Sequence, residues 1–600
     1  MKFVRLSFKV GLLNVLRIVL YSFKKKFYRL VEPQNLQELK IVSDLPSIHR
    51  NTDSDAQKFT GFGWIPYHLT SVLGNTNIIN SVSCLSYSNI AWDRLGDFSS
   101  EVGDIKGVWE PARFDWLYSY VEQFSSEQRF EVIESILAEW LSNNKPYYGL
   151  NWKCGQECSI RIINILLTLK LIEKTNTRSD IIEYFFKISI ERIRYSLEYA
   201  VAQDNNHGTS EAAALYIGSL YLYKLSGNLD FKKYSYSGRR RLEERVSRLI
   251  DVDGVFSQYS VNYHRLVLDT LSVVEFFRRF FLDSKFNKKY YDRSKAAFNW
   301  LYNVIDLVSR DAPNIGSNDG ANLLAIVNVE YRDFYSSLEF FSRVFYLSSI
   351  CSDKTFSLDF EKLTSEFINS EVAIAISQGN TFCESGGFMI FNSINNSKLV
   401  FRFPNFRFRP SQCDLLHIDF WVNGINLLRD CGTFSYNCSQ DKMDYYGGIK
   451  SHNSISLDDE EPLRKFSRFL FLDWPKSQDV FFSDDSNYGS SAYFDYKGNY
   501  LRRLVRLEPS KLLIEDFVKG NFGNACIRFH LPNYAWKING SAIEFEGYSL
   551  RCLSPVDFSL TVTNSFESRF YNIEHEIVEV IFTFKNGVDK FLNLNFELRF

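Results

Sequence analysis

The chain has 600 residues with 69 basic and 71 acidic side chains, so its net charge is close to zero and offers no electrostatic footprint for nucleic acid. Hydrophobic residues make up 45% of it and aromatic residues 16%, a composition that excludes a largely disordered chain. The length predicts two or three domains with large cores.

Residues 1–31 form a basic segment with eight lysines and arginines and no acid. Its apolar stretch, GLLNVLRIVLYSF, is interrupted by Asn14 and Arg17 and is too short to span a bilayer. A basic amphipathic helix of this kind can lie on an anionic membrane surface. The alternative is a first helix packed on the domain with solvated lysines. We therefore expect a basic amphipathic segment over 1–30, with peripheral membrane contact left open.

Most of the first half has apolar residues at spacings of three and four, which predicts helices. The predicted helices span 129–144, 158–174, 180–200, 210–227, 264–282, 288–309 and 335–351. Ser210 is a suitable N-cap for the fourth helix, and Gly227 is a suitable stop. A long series of antiparallel helices suggests a bundle, a solenoid or a helical toroid, and the lack of a fixed-period repeat argues against a regular solenoid.

After about residue 370 the pattern changes to alternation. Residues 401–410, 558–564 and 591–600 alternate as strands do, and Asn586-Gly587 is a turn signal. This predicts an antiparallel β-sandwich over 370–600, joined to the helical part by a linker within 350–372. The expected fold class is α+β multidomain.

The segment DNNHGTSEAAALY (204–216) is the first that does not follow core patterning. Asn205, Asn206 and His207 precede the predicted helix start at Ser210. Two amides and an imidazole at a helix N-terminus make an anion site, because side-chain donors join free backbone N–H groups and the positive end of the helix dipole. A helix-entry turn rich in cap formers is the alternative.

A second segment, 253–270, gathers Tyr259, Tyr263, His264 and Arg265 at the entry to an amphipathic helix. Tyr263 could transfer a proton if a cation lowers its pKa from about 10 toward the working range. Spacing alone favours a half-buried tyrosine with an ordinary hydrogen bond.

The third segment, 409–437, contains His417, Asp419 and Trp421 in alternation, so on a strand they share one face. Asp430 follows in what reads as a hairpin, and His452 lies further on. His417, Asp419, Asp430 and His452 include residue types that ligate metals, although the spacing is no standard zinc motif. A structural hydrogen-bonded cluster is an equal alternative.

Together with GDIKGVWEPARFDW (103–116), GLNWKCGQECSIRIIN (149–164) and IGSNDGANLL (315–324), these segments resemble the heparinase II/III-like family of polysaccharide lyases. The resemblance covers most of residues 60–460, in the same order, and is strongest to the bacterial subgroup found with surface-polysaccharide genes. It implies an N-terminal (α/α) toroid, here over 31–355, followed by an antiparallel β-sandwich.

The family resemblance implies cleavage of a uronic-acid-containing, acidic polysaccharide by β-elimination. Such a site must neutralise the charge that develops on the uronate carboxylate, remove the C5 proton and protonate the leaving oxygen. By resemblance, Asn206 holds the carboxylate, Tyr263 is base, acid or both, and His207 and His417 assist proton transfer and charge neutralisation. His417 would have to face the toroid from the β-domain, which predicts an interdomain site.

We expect further residues to bind or orient the substrate. These are Asn205, Glu211, Tyr259, Arg265 and Trp152, with Glu211 and Arg265 as orienting groups. No cofactor is required. Some family members bind a metal in the β-domain, which implies a structural divalent ion, zinc or calcium, at Asp419, Asp430 and His452. Asp419 stands where some relatives carry histidine, which puts zinc in doubt.

The predicted location is cytoplasmic or associated with the inner membrane, with the periplasm as the alternative. The sequence shows no A-x-A-like cleavage site, and its ten cysteines, without a CxxC pair, are expected to be mostly buried free thiols.

Two other functions stay open. One is a glycan-binding or glycan-processing accessory protein of capsule or O-antigen biosynthesis. The other is hydrolysis, which normally needs two carboxylates flanking the bond; Glu211, Asp319 and Asp414 are the candidates.

Overall fold

The computed structural model describes residues 9–27, 87–96, 104–327, 329–350, 356–367, 376–393, 395–587 and 590–600. The predicted basic segment 1–30 is therefore described only over 9–27. Residues 31–86 and 97–103 of the predicted toroid, and 351–355 and 368–372 of the predicted linker, lie outside the described residues.

The first part of the chain is helical. Its helices are α1 (Leu12–Phe27), α2 (Lys106–Trp109), α3 (Leu117–Val121), α4 (Arg129–Asn143), α5 (Gly155–Leu171), α6 (Asp180–Ala202), α7 (Asn206–Ser226), α8 (Leu229–Leu249), α9 (Val261–Phe280), α10 (Lys288–Val304), α11 (Tyr335–Phe345) and α12 (Leu358–Thr364). The helices α5, α7 and α9 are buried over almost their whole length, as expected of helices that are apolar on most sides. The outer helices pack against them, α6 on α5 and α7, α8 on α7, and α10 on α9.

The helices predicted from 158, 210 and 264 begin three or four residues earlier, and the second of these differences matters for the site. Helix α7 begins at Asn206 and not at Ser210, because the Asn205 side chain caps it by accepting the backbone N–H of His207. Asn206 and His207 therefore lie in the first helical turn. The predicted stop is confirmed, since Gly227 ends the helix at a φ of 70°.

The second part of the chain is a set of β-strands. These are β1 (Thr381–Cys383), β2 (Phe388–Asn392), β3 (Ser397–Arg402), β4 (His417–Val422), β5 (Ile425–Leu428), β6 (Ile455–Leu457), β7 (Lys465–Ser467), β8 (Leu470–Phe471), β9 (Gln478–Ser483), β10 (Tyr488–Phe494), β11 (Tyr500–Glu508), β12 (Lys511–Lys519), β13 (Asn524–Leu531), β14 (Lys537–Asn539), β15 (Ala542–Phe545), β16 (Tyr548–Cys552), β17 (Phe558–Phe570), β18 (Ile573–Lys585) and β19 (Phe591–Arg599). A helix, α13 (Gln440–Gly447), lies between β5 and β6.

These strands pair antiparallel in three larger sheets and one two-stranded ribbon. The sheet orders are β1-β2-β3-β4-β5, β14-β15-β16-β19-β12-β11-β10-β9, β17-β18-β13-β6 and β7-β8. Helices followed by antiparallel sheets confirm the predicted fold class. The strand predicted over 401–410 is wrong beyond Arg402, where β3 ends. The chain leaves the sheet there because Pro404 has no N–H to donate, and the next residues pack toward the helical part.

The two parts meet along the segment 432–438. Gly432, at a φ of 77°, lies so close to the toroid that a Cβ would come within 2.0 Å of Asn314 Nδ2. That amide donates to the Ser568 carbonyl at 2.8 Å, and the backbone N–H of Asn318 donates to Thr433 Oγ1 at 3.3 Å. This close contact positions the residues that follow Gly432 over the toroid.

Among the described residues, every helix is either too short or too polar to cross a membrane.

Candidate active site

The first turn of α7 carries the first group of predicted site residues. Asn205 and Asn206 are buried, and Gln258 accepts the backbone N–H of Asn206 at 2.8 Å. Within the described part of the chain, no hydrogen-bond partner engages the Asn206 carboxamide. A free amide therefore lies at the positive end of a long helix, where it can donate to an anion.

His207 lies beside it and is partly exposed. Its Nδ1 is 3.8 Å from Cys154 Sγ. Burial lowers the pKa of His207 to about 4, so the imidazole is neutral near pH 7. Burial raises the pKa of the Cys154 thiol to about 12, which keeps it protonated. The eight cysteines among the described residues are free thiols.

Tyr263 projects from the start of α9. Ser260 caps that helix by accepting the Tyr263 backbone N–H at 3.1 Å. Gly316 packs on the same turn with a φ of 82°, and a Cβ there would lie 2.5 Å from Ser260 Cα. Glycine thus lets the loop that contains Asp319 close over the start of α9.

The Tyr263 hydroxyl lies 2.9 Å from the Tyr436 hydroxyl, which comes from the β-part of the chain. Burial raises the pKa of Tyr263 well above its usual value, and the charge of Asp319 and the contact with Tyr436 raise it further. The condition under which Tyr263 would be a base, a pKa lowered by a cation, is therefore not met, and the phenol is protonated.

Tyr436 is held from behind by a chain of hydrogen bonds. Its backbone N–H donates to the Tyr571 hydroxyl at 2.8 Å, and that hydroxyl donates to Asp104 Oδ2 at 2.7 Å. Ser435 Oγ donates to the same carboxylate oxygen at 2.9 Å. Asp104 belongs to the helical part, so its carboxylate ties the two parts together next to the paired tyrosines.

Buried charges lie close to Tyr263 and His207. Lys106 forms an ion pair with Asp319. Arg113 donates to both carboxylate oxygens of Glu157 at 2.8 Å, a bidentate contact. Burial opposes ionisation of both carboxyls, but the neighbouring cations, chiefly Lys106 at Asp319 and Arg113 at Glu157, together with hydrogen bonds outweigh it, and both pKa values are lowered. These charges are mutually compensated and rigidly held.

Arg409 differs from Lys106 and Arg113 because it forms no ion pair among the described residues. It lies close enough to Tyr263 and Tyr436 to interact electrostatically with both, and burial lowers its pKa. Among the described residues, no carboxylate or other hydrogen-bond partner engages its guanidinium. The charge of Asp204 acts on it from beyond hydrogen-bond distance, and an arginine without a hydrogen-bonded carboxylate beside a tyrosine hydroxyl is suited to binding an anion.

Tyr259 positions the loop that carries Arg409. Its hydroxyl accepts the backbone N–H groups of Arg407 and Phe408 at 2.8 and 3.0 Å, and its ring packs edge-on against Phe406. Tyr259 was predicted to bind substrate, and its hydroxyl is instead occupied by these two backbone donors.

Three other predicted substrate residues lie beneath the site. Glu211 is buried under the first turn of α5, where a Cβ on Gly155 would lie 2.6 Å from its carboxylate. Arg265 is buried and donates to Asn262 Oδ1 at 2.8 Å. Trp152 has 0% exposure and donates its indole N–H to a carbonyl, so neither face of its ring is open to a sugar. The structure corrects the prediction that Trp152 binds substrate.

His417 lies at the start of β4, fully buried inside the β-part of the chain. Its Nε2 is 3.6 Å from Asp430 Oδ2 and 3.9 Å from Asp419 Oδ2. Asp430 Oδ2 also accepts from His452 Nδ1 at 2.9 Å. These contacts join His417 to the predicted metal residues, and none of them joins it to Tyr263 or His207.

The predicted metal set is only partly assembled. The group whose ligand atoms lie within 4.8 Å of one another is His417, Asp430 and His452. The Asp419 carboxylate is occupied by Trp421 Nε1 at 2.6 Å and by Asn426 Nδ2 at 3.0 Å.

The donor set does not fit a preformed metal site. The backbone N–H of Asn453 donates to His417 Nδ1 at 3.0 Å, so the neutral ring carries its proton on Nε2, the atom that would have to ligate. That leaves Asp430 and His452, whereas enclosed structural zinc sites use four ligands and calcium takes six to eight oxygens. The hydrogen bonds at Nδ1 of His417 and His452 agree with the hydrogen-bonded alternative, whereas Nε2 of each ring has no hydrogen-bond partner among the described residues, so a metal here stays a prediction.

Sequence reasoning missed Lys106, Tyr436 and Arg409 as site residues and considered Asp319 only for hydrolysis. All four lie in segments that carry the family resemblance. Membership of these segments was therefore a usable signal for the four residues. That the residues come close together depends on how the two parts of the chain pack.

Comparison with known proteins agrees with this architecture. Residues 377–571 match the family model described as heparinase II/III-like, C-terminal. The structure is similar to that of heparinase III, with a TM-score of 0.65 at 13% identity over 97% of this chain and 89% of that one. No sequence match was found among curated proteins.

Two further solved structures have similar folds. A mutant of the heparan sulfate lyase HepC from Pedobacter heparinus has a TM-score of 0.59 at 15% identity, covering 98% of this chain and 88% of that one. A chondroitin AC lyase mutant from Streptomyces coelicolor A3 has a TM-score of 0.51 at 9% identity, covering 82% and 75%.

The chain has the architecture of these lyases, a helical toroid followed by antiparallel β-sheets. Residues 377–571 match the C-terminal domain of the heparinase II/III-like family, and the chain as a whole shares the fold of these lyases. The resemblance seen in the sequence is confirmed. Identities this low establish a shared fold, and the activity has to be argued from the site.

Proposed function

We propose that the protein is a polysaccharide lyase that cleaves a uronic-acid-containing polysaccharide by β-elimination. One observation carries the proposal. A free amide (Asn206) adjoins a neutral imidazole (His207) in the chain. A guanidinium without a hydrogen-bonded carboxylate (Arg409) interacts electrostatically with that imidazole and with a protonated phenol (Tyr263). These are the groups that β-elimination from a uronate requires.

Charge neutralisation falls to Asn206 and Arg409 in this proposal. When the C5 proton leaves, negative charge develops on the uronate carboxylate, and donors already aimed at it stabilise the transition state most. Lys106 and Arg113 do not serve this purpose, since each is already paired with a carboxylate of the protein.

Proton transfer is divided between two residues. Neutral His207 accepts the C5 proton, and Tyr263, whose raised pKa keeps its proton in place, donates it to the glycosidic oxygen as the C4–O bond breaks. For His207 to accept through Nε2, its Nδ1–H must donate to Cys154 Sγ, which lies within reach. We assign no proton transfer to His417, because its contacts lie within the β-part of the chain.

Hydrolysis is less well supported because the candidate carboxylates do not form a pair. Asp414 is buried beside Arg402 Nε at 3.2 Å, Asp319 is paired with Lys106, and Glu211 lies under α5. A hydrolase would need two of them on opposite sides of one glycosidic bond.

The second candidate is a glycan-binding or glycan-processing accessory protein of bacterial surface-polysaccharide assembly, with the lyase fold but without elimination. The direct contact between Tyr263 and Tyr436 favours it, because the hydroxyl is engaged and not open to a sugar. Under the lyase proposal, an incoming glycan displaces Tyr436.

The test is a panel of uronate-containing glycans that includes heparan sulfate and chondroitin, with product masses measured. Elimination gives an unsaturated uronate fragment that is lighter by one water than the hydrolysis product. Products without this mass deficit would indicate hydrolysis. Binding without any product would favour the accessory protein and would overturn the lyase proposal.

A further inference from the structure

Helix α1 is held on the toroid by its polar residues. Asn14 is buried and donates through Nδ2 to Asp204 Oδ2 at 2.7 Å. One turn on, Arg17 Nε donates to Glu198 Oε2 at 3.0 Å. Both acceptors lie on or directly after α6, so the side of α1 that faces the protein is the side that carries its amide and its guanidinium.

The same side continues along the helix. The Tyr21 ring stacks on Tyr199 with a centroid distance of 4.6 Å. Lys24 Nζ donates to the Tyr195 carbonyl at 3.0 Å and lies over the Tyr195 ring. The spacing of Asn14, Arg17, Tyr21 and Lys24, at three and four residues, defines one face of a helix.

The opposite face is apolar and open to solvent. Its exposed side chains are Leu12 at 61%, Leu13 at 60%, Leu16 at 51%, Val19 at 46%, Leu20 at 58% and Phe23 at 60%. An ordinary surface helix buries its apolar face and exposes its polar one. Helix α1 therefore packs with its polar face toward the protein and exposes a continuous apolar stripe.

We propose that this apolar stripe inserts into the surface of a membrane that contains anionic lipids. The charge around it agrees: residues 1–31 contain no acid, and of their eight basic side chains Lys26 is exposed at the end of the stripe, whereas Arg17 and Lys24 are engaged by the toroid. An amphipathic helix with apolar side chains on one face and lysines at its margin lies in the plane of the headgroups, where the lysines meet anionic lipid.

A second copy of the chain fits the stripe less well. Between Leu12 and Phe23 the stripe is about 17 Å long at a rise of 1.5 Å per residue, and one helix is about 10 Å wide. The product, about 170 Å², is a projected footprint; a stable interface buries roughly 800 Å² of accessible surface per partner, so a dimer would have to bury surface beyond the stripe as well. A lipid surface sets no such minimum, because each apolar side chain that enters it contributes separately.

The test is co-sedimentation of the full chain with vesicles of phosphatidylcholine alone and of phosphatidylcholine mixed with phosphatidylglycerol. We expect the wild type to bind the mixed vesicles more strongly than the neutral ones. Leu16→Ser with Leu20→Ser should weaken binding at least about tenfold, since each leucine loses its apolar transfer free energy. The matched control is Leu229→Ser with Leu282→Ser, two exposed leucines outside the stripe, which should bind like the wild type.

A charge variant gives a second readout should the leucine variant be unstable. Lys26→Gln should weaken binding to the mixed vesicles by about fivefold and leave binding to neutral vesicles unchanged. Equal sedimentation of wild type and stripe variant, or no sedimentation of the wild type, would overturn the proposal. A wild-type dimer in ultracentrifugation that the stripe variant dissociates would overturn it in favour of a second copy. Activity on a soluble glycan should be the same in all these variants, so failure here leaves the proposed function untouched.

Discussion

The hydroxyl oxygens of Tyr263 and Tyr436 lie 2.9 Å apart, one on the first turn of α9 and the other on the segment that follows β5. Tyr263 is buried and Tyr436 is partly buried, and this burial raises both pKa values. The contact therefore joins two protonated hydroxyls at the boundary of the two parts of the chain. A glycan that reaches Tyr263 has to replace Tyr436 as its hydrogen-bond partner.

Replacing Tyr436 by phenylalanine should ease substrate entry. The change removes one neutral hydrogen bond, worth about 1 kcal/mol, that competes with the substrate. We expect KM to fall by up to about fivefold with kcat unchanged, as measured by steady-state kinetics. A loss of kcat as large as that caused by Tyr263→Phe would mean that Tyr436 itself donates the proton.

Replacing Arg409 by glutamine should remove charge stabilisation in the transition state. Deleting one preorganised donor to a developing anion lowers kcat by about 10²- to 10³-fold. The matched control is Arg407→Gln, an exposed arginine two residues away on the same loop. Equal rates in the two variants would remove Arg409 from the site.

The pH dependence should report His207. Burial lowers its pKa from 6.5 to about 4, so the neutral imidazole persists well below pH 6. Because the base is lost only when it is protonated, kcat/KM should stay constant as the pH falls and decline only near pH 4. A decline centred near pH 6.5 would show that a histidine with an ordinary pKa is the base.

Glu211 should make folding stability depend on pH. Burial raises its pKa from 4.5 to about 8. Between these values the unfolded chain ionises Glu211 while the folded protein keeps the proton, so its contribution to stability is full below pH 4.5 and is lost as the pH rises toward 8. Glu211→Gln should therefore gain thermal stability relative to the wild type from pH 5 to pH 8. A difference in Tm that is the same at both pH values would contradict this.

The order of helices and then strands follows from local patterns and could be predicted. The spacing of apolar residues predicts α7 and α9, because these helices bury most of their surface and so carry apolar residues at helical spacing. The start of α7 was missed because both Asn205 and Ser210 are good caps, and only the Gln258 contact, 52 residues away, distinguishes them. The strand predicted over 401–410 ends at Arg402 because Pro404 has no N–H to donate, and beyond it the Tyr259 hydroxyl accepts two backbone N–H groups, a contact that the sequence does not reveal.

About half of the candidate site could be predicted from the sequence. Asn206, His207 and Tyr263 stand in distinctive segments, whereas Arg409 looks like one more arginine in an alternating run. That no carboxylate among the described residues hydrogen-bonds to its guanidinium is a property of three-dimensional packing. For the same reason Trp152, a plausible sugar platform in sequence, belongs to the core.

The most direct measurement is the ultraviolet absorbance of unsaturated uronate formed from uronate-containing glycans by the wild type, Tyr263→Phe and Tyr290→Phe. Tyr290 is a matched control, a buried tyrosine on α10 whose hydroxyl has no hydrogen-bond partner among the described residues. We predict equal rates for the wild type and Tyr290→Phe, and a rate lower by about 10²- to 10⁴-fold for Tyr263→Phe. A Tyr263→Phe variant that turns over at the wild-type rate would contradict the assignment of Tyr263 as the proton donor.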